Sequence, residues 1–165
     1  MVITNSSPLI HLTRLGKIDY LINQVKEILI PKAVYNEVVI AGKSKNYAES
    51  FIIENYINNG KIVVKNLGDF EKELYPPLGN GEMESLELAK QQDRLLIIDD
   101  KKARNLAHLL KIEYQTTIAT IFELLLSKII DNFEYKSNIK RIAENSWISA
   151  DVIQEYLEKG DEYGK

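Results

Sequence analysis

The sequence predicts a three-layer α/β/α domain built on a parallel sheet of about five strands. Three observations carry this reading. Short aliphatic runs alternate with helical patterns along the chain, as they do where helices cover both faces of a sheet. One run, Leu95-Leu96-Ile97-Ile98, is four consecutive aliphatics, which suits a parallel strand buried on both sides. The 165 residues contain no internal repeat and no low-complexity linker, so a single domain, 1–165, is expected.

Taken in order, Val2-Ile3-Thr4 reads as the first strand, and Leu9 to Leu15 and Ile18 to Ile22 as two short helices split at Gly16. Glu27 to Ile30 is the second strand. Pro31 ends it and suits the opening of the next helix, which carries Val34, Val38 and Val39 and stops near Gly42. Tyr47 to Asn58 is an amphipathic helix with Gly60 just past its end. Ile62-Val63-Val64 is the third strand. Leu67 to Asn80 is polar, holds Pro76-Pro77 and reads mostly as loop. Gly81 to Gln92 is a helix, Leu95 to Ile98 the fourth strand, Ala103 to Leu110 a helix and Ile112-Glu113-Tyr114 a weak fifth strand. Thr117 to Ile130 is a helix that is apolar nearly all round. Ser137 and Ser149 suit the N-caps of two closing helices, about 137–159, and the second carries Val152, Ile153, Tyr156 and Leu157 on one face.

Composition removes several function classes. With no cysteine there is no disulfide, no thiolate zinc site and no Cys nucleophile, and a reducing, cytoplasmic setting is expected. Ser6, Ser7, Pro8, His11 and Arg14 interrupt the opening apolar stretch too early for a signal peptide. No apolar run approaches the roughly 20 residues of a membrane span. The longest, Ile118 to Ile130, is broken by Glu123 and Lys128. A net charge of −3 argues against a basic coat for nucleic acid, yet it is compatible with an acidic site whose bound cations reverse the local sign.

The chemistry points to strand ends. In an open parallel sheet, ligands bind outside the carboxyl ends of the strands. Strand one runs into Asn5, and strand four into Asp99-Asp100. One Asp there suits a helix cap, but a doubled Asp exceeds what a cap needs, and like charges repel. Glu82 and Glu84 open the helix after Gly81. The helix dipole explains acids in a first turn, but Glu82 borders the buried stripe of Leu86 and Ala89. Glu37 sits at the edge of the Val34/Val38 stripe. Together these oxygens suit Mg²⁺ or Mn²⁺, and two such ions about 3.5–4 Å apart can activate water and stabilise the leaving oxygen of a phosphodiester, a pattern that does not by itself select phosphodiester cleavage over phosphatase chemistry. Other sites fail. His11 and His108 each sit on a helical pattern beside leucines, without a partner at i+4. Gly79-Asn80-Gly81 begins like a dinucleotide fingerprint, but Glu84 takes the place of its third glycine.

Four blocks of the chain resemble the PIN-domain family. Val2-Ile3-Thr4-Asn5-Ser6-Ser7-Pro8-Leu9-Ile10 resembles the opening of its prokaryotic branch, with Asn or Asp at the strand end followed by Ser-Pro-Leu-Ile. Ile30 to Val38 resembles its second block, whose Glu is here Glu37. Leu78 to Ala89 resembles its Gly-Glu-Ala-Glu-Ala block, and Leu96 to Arg104 its Leu-x-Ile-Asp-Asp-x-Lys-x-Arg block. The blocks occur in order over residues 2–104, and Trp147-Ile148-Ser149 is similar in style. The resemblance implies a Rossmann-like fold and a Mg²⁺- or Mn²⁺-dependent endoribonuclease acting on RNA, often as a homodimer. It further implies the toxin of a toxin–antitoxin pair, with an antitoxin protein as partner. Asp100, Glu82 and Glu37 are then the main ligands, with Asp99, Glu84 and Asn5 beside them. Two departures stand out: Asn5 where many relatives have Asp, and Gln115-Thr116 in place of the usual Gly-Thr. They leave room for a catalytically silent module that binds RNA or protein. An acidic-site phosphatase ranks below both.

Overall fold

The structure, a computed structural model, describes residues 1–71, 75, 77–144 and 148–163. The contacts divide the chain into two compact units, Met1–Gln115 and Thr116–Lys165.

The first unit alternates strand and helix. β1 spans Val2–Thr4, α1 Ser6–Arg14, α2 Ile18–Val25 and β2 Ile28–Pro31. A continuous helical run follows: α3 at Lys32–Tyr35, a π-helical stretch at Asn36–Ala41 and α4 at Gly42–Ser44. Next come α5 at Ala48–Asn58, β3 at Ile62–Lys65, α6 at Asn80–Gln92, β4 at Leu96–Ile97, α7 at Lys101–Leu109 and β5 at Tyr114–Gln115. The strands form one parallel sheet in the order β3-β2-β1-β4-β5, with Ile3 opposite both Leu29 and Leu96. Every residue of β1 and β2 is buried although successive side chains point to opposite faces, so both faces of the sheet are covered. Leu86, Leu88 and Ala89 of α6 and Ala103 and Ala107 of α7 pack with Ile3, Leu29 and Leu96 of the strands.

Strand order decides where a ligand goes. From β1 the chain steps outward through β2 to β3, then returns to place β4 on the other side of β1. The order reverses between β1 and β4, and the crevice beyond their carboxyl ends is where such sheets bind ligands.

In the second unit, α8 spans Thr117–Leu126, α9 Asn132–Glu144 and α10 Ala150–Tyr163. Phe122 of α8 lies against Tyr135 of α9 and against Tyr156 and Tyr163 of α10, with ring centroids 5.9–6.0 Å apart. The Tyr135 hydroxyl donates to the Tyr156 carbonyl at 2.7 Å. A Cβ on Gly160 would stand 2.5 Å from the Tyr135 ring, so only glycine allows this approach of α10 to α9.

Several boundaries differ from the sequence reading. Ser137 lies inside α9 and does not cap it. Asp131 does, its Oδ1 accepting from the Glu134 N–H at 2.7 Å, and the buried stripe of Tyr135, Asn138, Ile139 and Ile142 begins before Ser137 can act. Ser149 does stand directly before α10. The fifth strand falls on Tyr114–Gln115 rather than Ile112–Tyr114. Part of the expected loop (residues 72–74 and 76) and Trp147 lie outside the described residues.

Candidate active site

β1 and β4 deliver the first two groups. Asn5 follows β1, and its backbone N–H is tied to the Ile97 carbonyl of β4. Its side chain is 1% exposed, and its Oδ1 is buried with no hydrogen-bond partner. A buried acceptor left unmade costs about 1–3 kcal/mol. Asn5 stands at the N-cap position of α1, but its side chain makes no cap bond. The usual structural reason for an Asn there is therefore missing.

Asp99 and Asp100 diverge. Asp99 is half-buried and its field acts on His11 of α1. Burial lowers the pKa of that imidazole, while Asp99 opposes the shift. Asp100 is exposed and caps α7, its Oδ1 accepting from the Ala103 N–H at 2.8 Å. The capping account of the doubled Asp is thus right for Asp100. It engages only one oxygen, and the same carboxylate projects its charge onto Glu82.

Glu82 and Glu84 also part. Glu84 turns to α3, where its Oε2 accepts from the Ala33 N–H at 2.9 Å. That bond satisfies a free donor in the first turn of the helix that carries Glu37. Glu82 folds back over the start of α6, with its carboxylate against Gly79. Burial is the largest cause pushing its pKa above the ordinary carboxylate value. The charges of Glu37 and Asp100 push the same way, and the backbone N–H groups of Glu82 and Gly79 oppose them.

Glu37 comes from the π-helical stretch. Wide π turns often occur at functional sites because they re-aim a side chain within an otherwise helical run. Its Oε2 accepts a hydrogen bond from the Ser6 hydroxyl. Its carboxylate lies over Gly81, where an added Cβ would stand 2.7 Å from Oε2 and 2.9 Å from Oε1.

The structure therefore brings Glu37, Glu82 and Asp100 into one electrostatic group at the carboxyl edge, next to the end of β1. The charge of Asp99 acts on His11, and Glu84 turns to α3. Ser6 and Gly81 belong to the site but were not singled out from sequence; their place in the quoted blocks beside Asn5 and Glu82 was the available signal. None of Glu37, Glu82 and Asp100 forms an ion pair among the described residues. No three acidic or histidine side chains among those residues converge closely enough to form a ready cation cage. Like charges repel, and each acid instead leans on a neutral donor: Ser6, Gly79 or the Ala103 N–H. The donor set nevertheless fits a hard divalent cation. It offers carboxylates, a buried amide oxygen without a partner and a glycine where a side chain would block approach.

A family model described as a PIN domain matches residues 1–162. Two solved structures are similar. A PilT N-terminus domain protein from Sulfolobus solfataricus has 16% sequence identity and a TM-score of 0.48, covering 70% of this chain and 86% of that one. A domain of a functionally unknown protein from Methanocaldococcus jannaschii has 21% identity and a TM-score of 0.47, covering 70% and 89%. No curated protein matches the chain.

Proposed function

The chain belongs to the PIN-domain family, and we propose that it is a Mg²⁺- or Mn²⁺-dependent endoribonuclease acting as the toxin of a toxin–antitoxin pair. Members of this family are generally nucleases. One observation supports the finer reading most. Asn5 Oδ1 is buried without a partner at the end of the central strand, and Glu37, Glu82 and Asp100 of the same sheet edge form no ion pair among the described residues.

Glu37, Glu82 and Asp100 would hold the cation, with Asn5 contributing its amide oxygen. Asp99 and Glu84 stand behind them. A divalent cation held by these residues would supply Lewis-acid chemistry for activating a water and for stabilising the leaving oxygen of a phosphodiester. The protein groups set its position. Asp100 is steadied by the Ala103 N–H, Glu37 by Ser6, and Glu84 braces the first turn of α3. The toxin role, an antitoxin partner and a homodimer rest on the resemblance of the four blocks. Among the described residues no helix is long and apolar enough to cross a membrane, and a cytoplasmic location is part of the same reading.

The second reading is a catalytically silent module that binds RNA or protein. The neutral Asn5 at the strand end favours it. Calorimetric titration with Mn²⁺, followed by cleavage of single-stranded RNA with and without Mn²⁺, separates the two. The nuclease reading expects Mn²⁺ binding and cleavage that EDTA abolishes. RNA binding without metal uptake or cleavage overturns it in favour of the silent module.

A further inference from the structure

We propose that Ser6 is a positioning residue for the cation site, its hydroxyl holding the Glu37 carboxylate over the Gly81 backbone before any cation binds. This rests on the metal-dependent reading above. Glu37 is an exposed residue of a helical surface, and fixing an exposed glutamate costs rotamer entropy. Here two features restrict it. The Ser6 hydroxyl, at the first position of α1, donates to Oε2. On the other side both oxygens lie within 3 Å of where a Gly81 Cβ would stand, in the first turn of α6. The free N–H groups of such a turn favour an anion. Three elements thus meet on one carboxylate: the start of α1, the π-helical stretch and the start of α6. A ligand group ordered in advance costs less to recruit, so affinity rises without any new contact to the cation.

Among the described residues the Ser6 side chain makes no other hydrogen bond. Asn5, not Ser6, stands at the N-cap position of α1, and neighbouring Ser7 is exposed. A bystander hydroxyl in this place would affect neither metal binding nor Glu37.

The test measures Mn²⁺ binding by calorimetry and by the Mn²⁺-induced rise in melting temperature at millimolar Mn²⁺. It uses wild type, Ser6→Ala, Ser6→Thr, Glu37→Asp and the Ser6→Ala/Glu37→Asp double variant. Ser6→Ala is expected to weaken binding about three- to tenfold, the scale of one partly exposed hydrogen bond to a charge. Its metal-free melting temperature should move by less than about 2 °C. Ser6→Thr, which keeps the hydroxyl, should bind like wild type. The shorter Asp at position 37 withdraws the carboxylate from Ser6, so Ser6→Ala should add nothing in that background. Wild-type affinity in Ser6→Ala overturns the assignment, and so does a loss that persists beside Glu37→Asp, because Ser6 would then act without Glu37. Wild type that takes up no Mn²⁺ overturns the metal reading itself, and this proposal with it.

Discussion

Glu49 and Glu82 are glutamates of the same α/β unit, Glu49 buried on its helix and Glu82 half-buried on its own. Glu49 of α5 is 7% exposed and has a cation: Arg14 of α1 donates to it from Nε at 3.0 Å. Nearby, Lys43 and Glu54 pair at 2.6 Å. Glu82 of α6 has Glu37 and Asp100 for company and no cation among the described residues. Burying a charge is costly unless it is paired. On the α1–α5 side the chain supplies its own counterion, which locks two helices together. At the carboxyl edge of β1 and β4 no counterion is supplied among the described residues, and like charges accumulate where a sheet of this order binds ligands. The first set is complete as folded. On the metal-dependent reading proposed above, the second would be completed by a cation from solution.

That contrast is broken most severely at Asp100. Asp100→Asn keeps the cap of α7, because Asn caps as well as Asp. It also removes one like charge from the cluster. Mn²⁺-dependent RNA cleavage should fall at least about a hundredfold, the scale of losing a group that stabilises transition-state charge. The metal-free melting temperature should hold or rise. A folded Asp100→Asn protein that cleaves like wild type would remove Asp100 from the site.

Asn5→Asp moves the contrast the other way. It places a further negative charge at a position 1% exposed, at the sheet edge where Glu37, Glu82 and Asp100 form no ion pair among the described residues. Metal-free stability should fall by about 1–3 kcal/mol. Mn²⁺ affinity should rise about tenfold, because hard cations gain more from a carboxylate than from an amide oxygen. Added Mn²⁺ should restore the lost stability through linkage. Melting curves of both proteins with and without Mn²⁺ decide it. Equal metal shifts would place Asn5 outside the site.

Much of this was legible in the chain, for identifiable reasons. The aliphatic runs that became β1, β2 and β4 are apolar on both faces, as central strands are, and Asp100 and Glu82 sit at element ends that such a sheet directs to one edge. What was not legible depends on contacts between distant segments. The π-helical stretch is invisible in the spacing of Val34, Val38 and Val39, which suits an ordinary helix equally well. It ends at Gly42, where an added Cβ would strike the buried Ser50 of α5, so helix packing governs the local geometry. Glu82 and Glu84 read alike as first-turn acids, and only the placement of α3 beside α6 sends Glu84 to Ala33. Ser6 and Gly81 carry no chemical signal of their own. They matter through Glu37, forty-four residues before Gly81 in the chain and adjacent to it in space.

The smallest expected effect is also the most specific, because its sign differs between two acids on one helix. Burial and the charges of Glu37 and Asp100 raise the pKa of Glu82. Burial also raises that of Glu87, but bonds from Tyr75 and Gln91 and the charge of Lys90 outweigh it and leave the value lowered. For Glu82 the folded pKa lies above the unfolded one. Its penalty on stability is fully present above the folded value, is relieved as pH falls through it, and is gone below the ordinary carboxylate range. For Glu87 the folded pKa lies below, so its contribution is present above the ordinary range and is lost as pH falls through the folded value. In EDTA, Glu82→Gln should therefore melt about 1–3 °C above wild type at neutral pH, with the gap closing as pH drops into the carboxylate range. Glu87→Gln should melt below wild type at neutral pH, and its gap should close only at still lower pH. Mn²⁺ should reverse the order for Glu82 alone, since the cation replaces the missing counterion and competes with protons for the same oxygens. Melting temperatures of the three proteins across that pH range, with EDTA and with Mn²⁺, make the measurement. Parallel curves for the two variants would mean that Glu82 is as well satisfied as Glu87, and the division between paired and unpaired acids would fail at its central residue.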